Sequence, residues 1–222
     1  MIVAHVSDLH VGERGWNEAT ARTLVASLEQ CPAEQVLITG DLTDHGTFPE
    51  TQAYLGTYGR MQKKSQKVPG NHDGGWNGVV FMPGRYNRLQ EDLNIKLPYF
   101  EDVGEYRFIG LDTIRALRGR RFSLARGKIG EEQLAWLDRV LDTDQKCVVL
   151  LHHHPYERRP GLELLDANEF LITLGGRHHA VLYGHRHVAS QDGRFFAADK
   201  TPSSRRYRLI DLETLEWEWH RF

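Results

Sequence analysis

Residues 2–10 read Ile-Val-Ala-His-Val-Ser-Asp-Leu-His, a short β-branched apolar run that ends in an acid and a histidine two positions apart. The run predicts a strand over Ile2–Ser7, with Asp8 and His10 at or just past its C-terminal end. The same construction recurs along the chain. A strand expected over Gln35–Thr39 runs into Gly40-Asp41, and a short strand leads through Val68-Pro69 into Gly70-Asn71-His72-Asp73. A strand over Lys146–Leu151 runs into His152-His153-His154-Pro155, and one over His179–Tyr183 into Gly184-His185-Arg186-His187. Active sites of open sheets gather where the C-terminal ends of strands share an edge, so fragments distant in sequence can converge there.

Between these strands the apolar spacing changes to that of helices. Ala21, Leu24, Val25 and Leu28 predict a helix over Asn17–Gln30, and Leu134, Leu137, Val140 and Leu141 one over Gly130–Asp142. Helices are also expected over Pro49–Lys63 and Leu162–Leu174, and a hairpin over Tyr99–Val103 and Tyr106–Asp112. Gly74–Pro98 shows weak periodicity. Three closing strands are expected, over Arg194–Ala198, Tyr207–Leu212 and Leu215–His220. Strand and helix alternate first and strands accumulate later, the pattern of sheets covered by helices. No linker or repeat divides the chain, so a single domain over residues 1–222 is expected.

Composition narrows the function. The 222 residues are 40% hydrophobic and 26% charged, with a formal net charge of −2. That balance disfavours nucleic acid as the main partner, although a bound metal pair would still attract a small phosphorylated substrate. Cys31 and Cys147 are too few and too far apart for a disulfide framework or a thiolate metal cluster. The opening residues carry no basic-then-apolar leader, and no apolar run approaches the ~20 residues of a membrane span. A cytoplasmic protein without a membrane partner is expected, and a homodimer is compatible with this reading. Histidine is the surplus residue, with 12 copies, several in tight groups.

The five fragments offer carboxylates, imidazoles and one amide oxygen, a donor set suited to two cations of hard or borderline character. Metal pairs ~3.5–4 Å apart clamp phosphate and activate water. In D-x-H and H-x-H, extended backbone points both outer residues to one side. Glycine before Asp41, Asn71 and His185 permits sharp turns and close approach. Alone, D-x-H and G-D read more readily as solvated loops; GNHD and GHRH are more specific but could be turn chemistry, and HHHP a surface histidine cluster. Their joint occurrence in order, each at a strand end, favours a shared site.

The order D-x-H, GD, GNHD, H-x-P, GHxH, running from Asp8 to His187, resembles that of the calcineurin-like metallophosphoesterase superfamily. The segments VSDLH, ITGDLTD, VPGNHD, LLHHHP and LYGHRH, together with Glu132–Leu137, look closest to its class III 3′,5′-cyclic-nucleotide phosphodiesterases. The resemblance implies an α/β fold, a two-sheet β-sandwich flanked by helices. It implies two divalent or trivalent ions (Mn, Fe or Zn), one held by Asp8, His10 and His187, the other by Asn71, His153 and His185, with Asp41 bridging them. His72 would contact substrate beside Asn71 and protonate the leaving oxygen, and Asp73 would orient His72. Strand alternation sets His152 and His153 on opposite faces without choosing between them, because both faces are apolar. The H-x-P spacing selects His153, leaving His152 packed behind the ligands and His154 at the cleft rim.

The implied reaction is hydrolysis of a phosphodiester, a 3′,5′-cyclic nucleotide first, by a metal-bridging hydroxide. Rival readings are a nuclease, a phosphomonoesterase and a metal-binding scaffold that has lost catalysis. Arg158 and Arg159, after the histidine triplet, are candidate phosphate contacts. Arg115, Arg118, Arg120, Arg121, Arg126 and Lys128 form a basic stretch that reads as a solvated loop or a polyanion-steering patch. Trp16 and Trp76 could stack on a base, but packing is favoured.

Overall fold

Four of the five strands that lead into site motifs are buried along most of their length, which requires both of their faces to be covered. The computed structural model describes residues 1–76, 80–114 and 125–222. In chain order the first elements are β1 (Ile2–Val6), α1 (Glu18–Gln30), β2 (Gln35–Thr39), α2 (Phe48–Thr57) and β3 (Ser65–Val68). The short β4 (Gly75–Trp76) and β5 (Val80–Phe81) precede α3 (Pro83–Asp92), β6 (Tyr99–Val103), β7 (Tyr106–Gly110) and α4 (Glu131–Val140). Then come β8 (Lys146–Leu150), α5 (Ala167–Leu174), β9 (His178–Tyr183), β10 (Ser190–Asp192) and β11 (Phe195–Ala197). A short α6 (Thr201–Ser204), β12 (Arg206–Asp211) and β13 (Trp217–Arg221) close the chain.

Two mixed sheets form, ordered β13-β12-β1-β2-β3 and β10-β11-β9-β8-β7-β6. β1, β2 and β3 run parallel in the first sheet, and β7, β8 and β9 in the second. The C-terminal ends of β1, β2, β3, β8 and β9 carry the motif turns. Val3, Leu37 and Val68 of the first sheet meet Phe108, Val148, Leu150 and Leu182 of the second between the sheets. α1 and α2 cover the outer face of the first sheet through Leu24, Leu28 and Tyr54, while α4 and α5 cover the second through Leu137, Phe170 and Leu174. The fold is therefore α/β, two sheets with helices outside, as the motif order implied. Cys31 and Cys147 are buried free thiols. Among the described residues no helix is long and apolar enough to cross a membrane.

The structure departs from the periodicity in three places. The stretch of weak periodicity, Gly74–Pro98, contains α3, which starts at Pro83. The helix expected from Leu162 begins at Ala167, because Leu164 forms a parallel bridge with Gly127 and the backbone N–H of Leu165 donates to the Gly127 carbonyl. α2 stops at Thr57 and tightens into a 3-10 turn over Tyr58–Arg60 rather than running to Lys63.

Candidate metal centre

Five turns, after β1, β2, β3, β8 and β9, deliver the motif side chains to one place. The turns are tight: Asp8, His10, Asp41, His185 and His187 have φ of 54°, 42°, 47°, 75° and 55°. Positive φ is uncommon outside glycine, and Asp and His are among the residues that tolerate it best. Two glycines are required by proximity. A Cβ on Gly70 would lie 2.2 Å from Asp41 Oδ1, and one on Gly184 would lie 2.6 Å from Asp8 Oδ2.

One group gathers Asp8, His10, Asp41 and His187, whose donor atoms all lie within 4.8 Å of one another. His10 Nε2 is 3.2 Å from His187 Nε2 and 3.5 Å from Asp41 Oδ2, and His187 Nε2 is 3.3 Å from Asp8 Oδ1. The second group gathers around Asn71. Its Oδ1 is 3.0 Å from His152 Nε2 and 2.9 Å from His185 Nδ1, and His152 Nε2 is 3.4 Å from Asp41 Oδ2. Asp41 Oδ2 therefore faces both groups.

His152, not the expected His153, occupies this second group. Val148 and Leu150 of β8 lie between the sheets, and His152 continues that face toward the turns of the first sheet. Val149 and Leu151 pack on the helix side, and His153 continues that face. Both His153 nitrogens are engaged there, Nδ1 with the Thr113 hydroxyl at 2.7 Å and Nε2 with the Ala125 carbonyl at 3.1 Å. His154 is buried rather than at a rim: its Nδ1 accepts the Tyr156 N–H at 3.0 Å and its ring lies against Tyr183.

The donor chemistry fits cations. His152 Nδ1 donates to the Thr39 carbonyl at 2.7 Å, and His10 Nδ1 to Asp44 Oδ1 at 3.1 Å. A neutral imidazole used in this way turns a bare Nε2 lone pair toward the carboxylates and Asn71 Oδ1. Nitrogen and oxygen lone pairs that converge in a buried space call for a positive charge between them. Burial opposes the charged form of His152, but Asp41 outweighs burial and carries the imidazole up to about 9. Burial, together with nearby His152, pushes His185 down to about 3, the neutral form a metal ligand needs. Among the described residues, His185 Nε2 is buried without a hydrogen-bond partner.

His72 stands beside the first group, its ring edge-on to His10 at 4.5 Å between centroids. Asp73 does not orient it. The Asp73 carboxylate accepts the backbone N–H groups of Leu42, Thr43 and Gly70 and the Thr43 hydroxyl, at 2.7–3.0 Å, and so staples the β2 turn to the β3 turn. Asp44 does orient it: His72 Nδ1 lies 2.9 Å from the Asp44 carbonyl and 3.2 Å from its carboxylate. Asp44 also holds His10 and lies 3.1 Å from His45 Nδ1. It was visible in the sequence as the second acid of ITGDLTD, but without a spacing rule that gave it a role.

The remaining candidates lie outside this cluster of contacts. Arg159 binds Glu157, and Arg158 is exposed. Arg126 pairs with Glu163. Arg115, Arg118, Arg120 and Arg121 fall outside the described residues, as does the side chain of Trp76. Trp16 packs against the core beneath α1.

Residues 1–189 match the family model of calcineurin-like phosphoesterases. A probable glycerophosphodiester phosphodiesterase from Arcobacter nitrofigilis is 30% identical over 210 residues, covering 86% of this chain and 73% of the relative. The 3′,5′-cyclic adenosine monophosphate phosphodiesterase CpdA of Escherichia coli is 27% identical over 148 residues, covering 65% of this chain and 49% of that protein. Among solved structures, a dimetal phosphatase from Danio rerio superposes with a TM-score of 0.71 at 15% identity, covering 100% of this chain and 99% of that one.

Proposed function

Because this chain belongs to the calcineurin-like phosphoesterase family, it is a metal-dependent hydrolase of phosphoric esters, and we propose that its substrate is a small phosphodiester, a 3′,5′-cyclic nucleotide first. The observation that carries the dinuclear reading is Asp41 Oδ2, 3.5 Å from His10 Nε2 on one side and 3.4 Å from His152 Nε2 on the other. In this reading Asp8, His10 and His187 hold one ion, Asn71, His152 and His185 hold the other, and Asp41 bridges. Bound there, the pair supplies Lewis acidity at the phosphoryl group and lowers the pKa of water.

The protein's own groups do the rest. Asp44 takes up His72 Nδ1 and leaves Nε2 as the end of the ring that can carry a proton to the leaving oxygen. The His72 side chain is 24% exposed, so a substrate can reach it. Asp73 keeps the β2 and β3 turns together, and with them Asp41 and Asn71.

Relatives named as cyclic-nucleotide phosphodiesterases support the substrate, as does the sequence resemblance to that branch. A second reading, a glycerophosphodiester, is favoured by the relative with 30% identity. The test strips the protein of metal, restores Mn²⁺, and compares bis-p-nitrophenyl phosphate, cAMP, a glycerophosphodiester and p-nitrophenyl phosphate. Hydrolysis that requires metal and prefers cAMP is expected. Full activity in metal-free protein would overturn the metal reading, and preference for the monoester would overturn the diester reading.

A further inference from the structure

Glu157 lies on the turn after the histidine triplet, outside the ligand set, and its side chain is 4% exposed. Its Oε1 accepts the backbone N–H groups of Arg158 and Arg159 at 2.9 and 2.8 Å. Its Oε2 accepts from Arg159 at 3.2 and 3.3 Å and lies 2.7 Å from Arg186 Nε. Burial alone would raise this carboxyl, but these N–H groups and the two guanidiniums outweigh it and hold it near 2, ionised at any working pH.

Arg186 is the one residue between His185 and His187. The two imidazoles diverge: His185 Nδ1 meets Asn71 in the second group, and His187 Nε2 meets His10 in the first. Both flanking residues are left-handed, at 75° and 55°, so small rotations about this turn would swing the two rings in different directions. The side chain at its centre is fastened to a buried carboxylate on a different turn, the one that follows β8 and His152.

We propose that the Glu157–Arg186 pair is a positioning device, which sets how His185 and His187 are presented to the two halves of the metal centre and ties the β9 turn to the β8 turn. The proposal rests on the dinuclear reading above. Without Arg186, Glu157 still binds Arg159 and two backbone N–H groups, and without Glu157 the one-third-exposed Arg186 turns to solvent; either change cuts the tie between the β8 and β9 turns and frees the turn that carries His185 and His187. Outer partners that fix metal ligands typically change metal affinity about 10–100-fold when lost.

The test compares wild type with Arg186→Met, Arg186→Lys and Glu157→Gln. Mn²⁺ stoichiometry and affinity are measured by equilibrium dialysis, and the Mn-loaded proteins are examined by electron paramagnetic resonance. Wild type should hold two ions with a spin-coupled spectrum. Arg186→Met should weaken binding about 10–100-fold and give the spectrum of isolated Mn²⁺. Glu157→Gln keeps an oxygen for the two backbone N–H groups, and should shift both measurements the same way by less. Arg186→Lys keeps a cation and should recover most of the affinity. If Arg186→Met does not fold, Glu157→Gln carries the test. Wild-type affinity and coupling in both charge-removing variants would overturn the proposal, as would an effect confined to KM, which would make Arg186 a substrate contact. A wild-type chain that takes up fewer than two ions would instead overturn the dinuclear reading itself.

Discussion

His152 and His153 are adjacent, yet they belong to different layers of the molecule. One continues the apolar face between the sheets and the other the face under the helices. Sequence alternation separated them but could not say which apolar face leads to the site, because that depends on how the second sheet packs on the first. His152→Ala should therefore bind one Mn²⁺ where wild type binds two, while His153→Ala keeps both; elemental analysis after gel filtration decides it, and the reverse pattern would restore the H-x-P spacing. Asp44 carries a second expectation at this scale. His72→Ala should lower turnover of an alkyl phosphodiester about 10²–10⁴-fold with both metals retained. Asp44→Asn should produce a smaller loss of the same kind. In both, the defect should shrink with p-nitrophenolate as leaving group, which needs little protonation. Equal losses for good and poor leaving groups would mean that His72 only positions the substrate.

At the scale of elements, most of the fold was legible because its strands are short apolar runs punctuated by glycine and by the motifs themselves. The ligand types and most of their positions were legible for the same reason: each sits at a fixed offset from a strand end. What escaped was set by contacts distant in sequence. The start of α5 is decided by a bridge to Gly127, and the roles of Asp44, Asp73 and Glu157 by which turn each carboxylate happens to face. α1 shows the legible case. Its start follows from Asn17, whose Oδ1 accepts the N–H groups of Ala19 and Thr20 at 2.8 and 3.2 Å. Asn17→Ala should cost about 1 kcal/mol, the usual worth of such a cap, or roughly 2–4 °C in Tm for a chain of this size. Turnover should not change. A stability equal to wild type in urea titration would show that packing alone holds the end of α1.

For the whole molecule, the donors divide between the sheets. Asp8, His10, Asp41 and Asn71 come from turns of the first, and His152, His185 and His187 from turns of the second. Metal bound between them, as proposed above, would act as a clasp across the sandwich, and its binding energy would add to folding. With free Mn²⁺ at 100 times Kd, one site adds about 2.7 kcal/mol, or roughly 5–10 °C in Tm for a chain of this size. Scanning fluorimetry with and without chelator should show a gap of that order, and Asp41→Asn should close most of it. A Tm insensitive to chelator in protein shown to lose its metal would mean that the sheets are already locked without the clasp.

The five left-handed residues proposed as ligands have a consequence for descent. Glycine would relieve the backbone at each of positions 8, 10, 41, 185 and 187, since it reaches positive φ without the steric cost a side chain incurs. Keeping Asp and His there holds the metal-free chain below the stability its fold could reach, a trade of robustness for reactivity. A lineage released from catalysis would drift toward glycine or asparagine at these positions first. Loss of the enzyme would then register as a rise in the melting temperature of the metal-free protein.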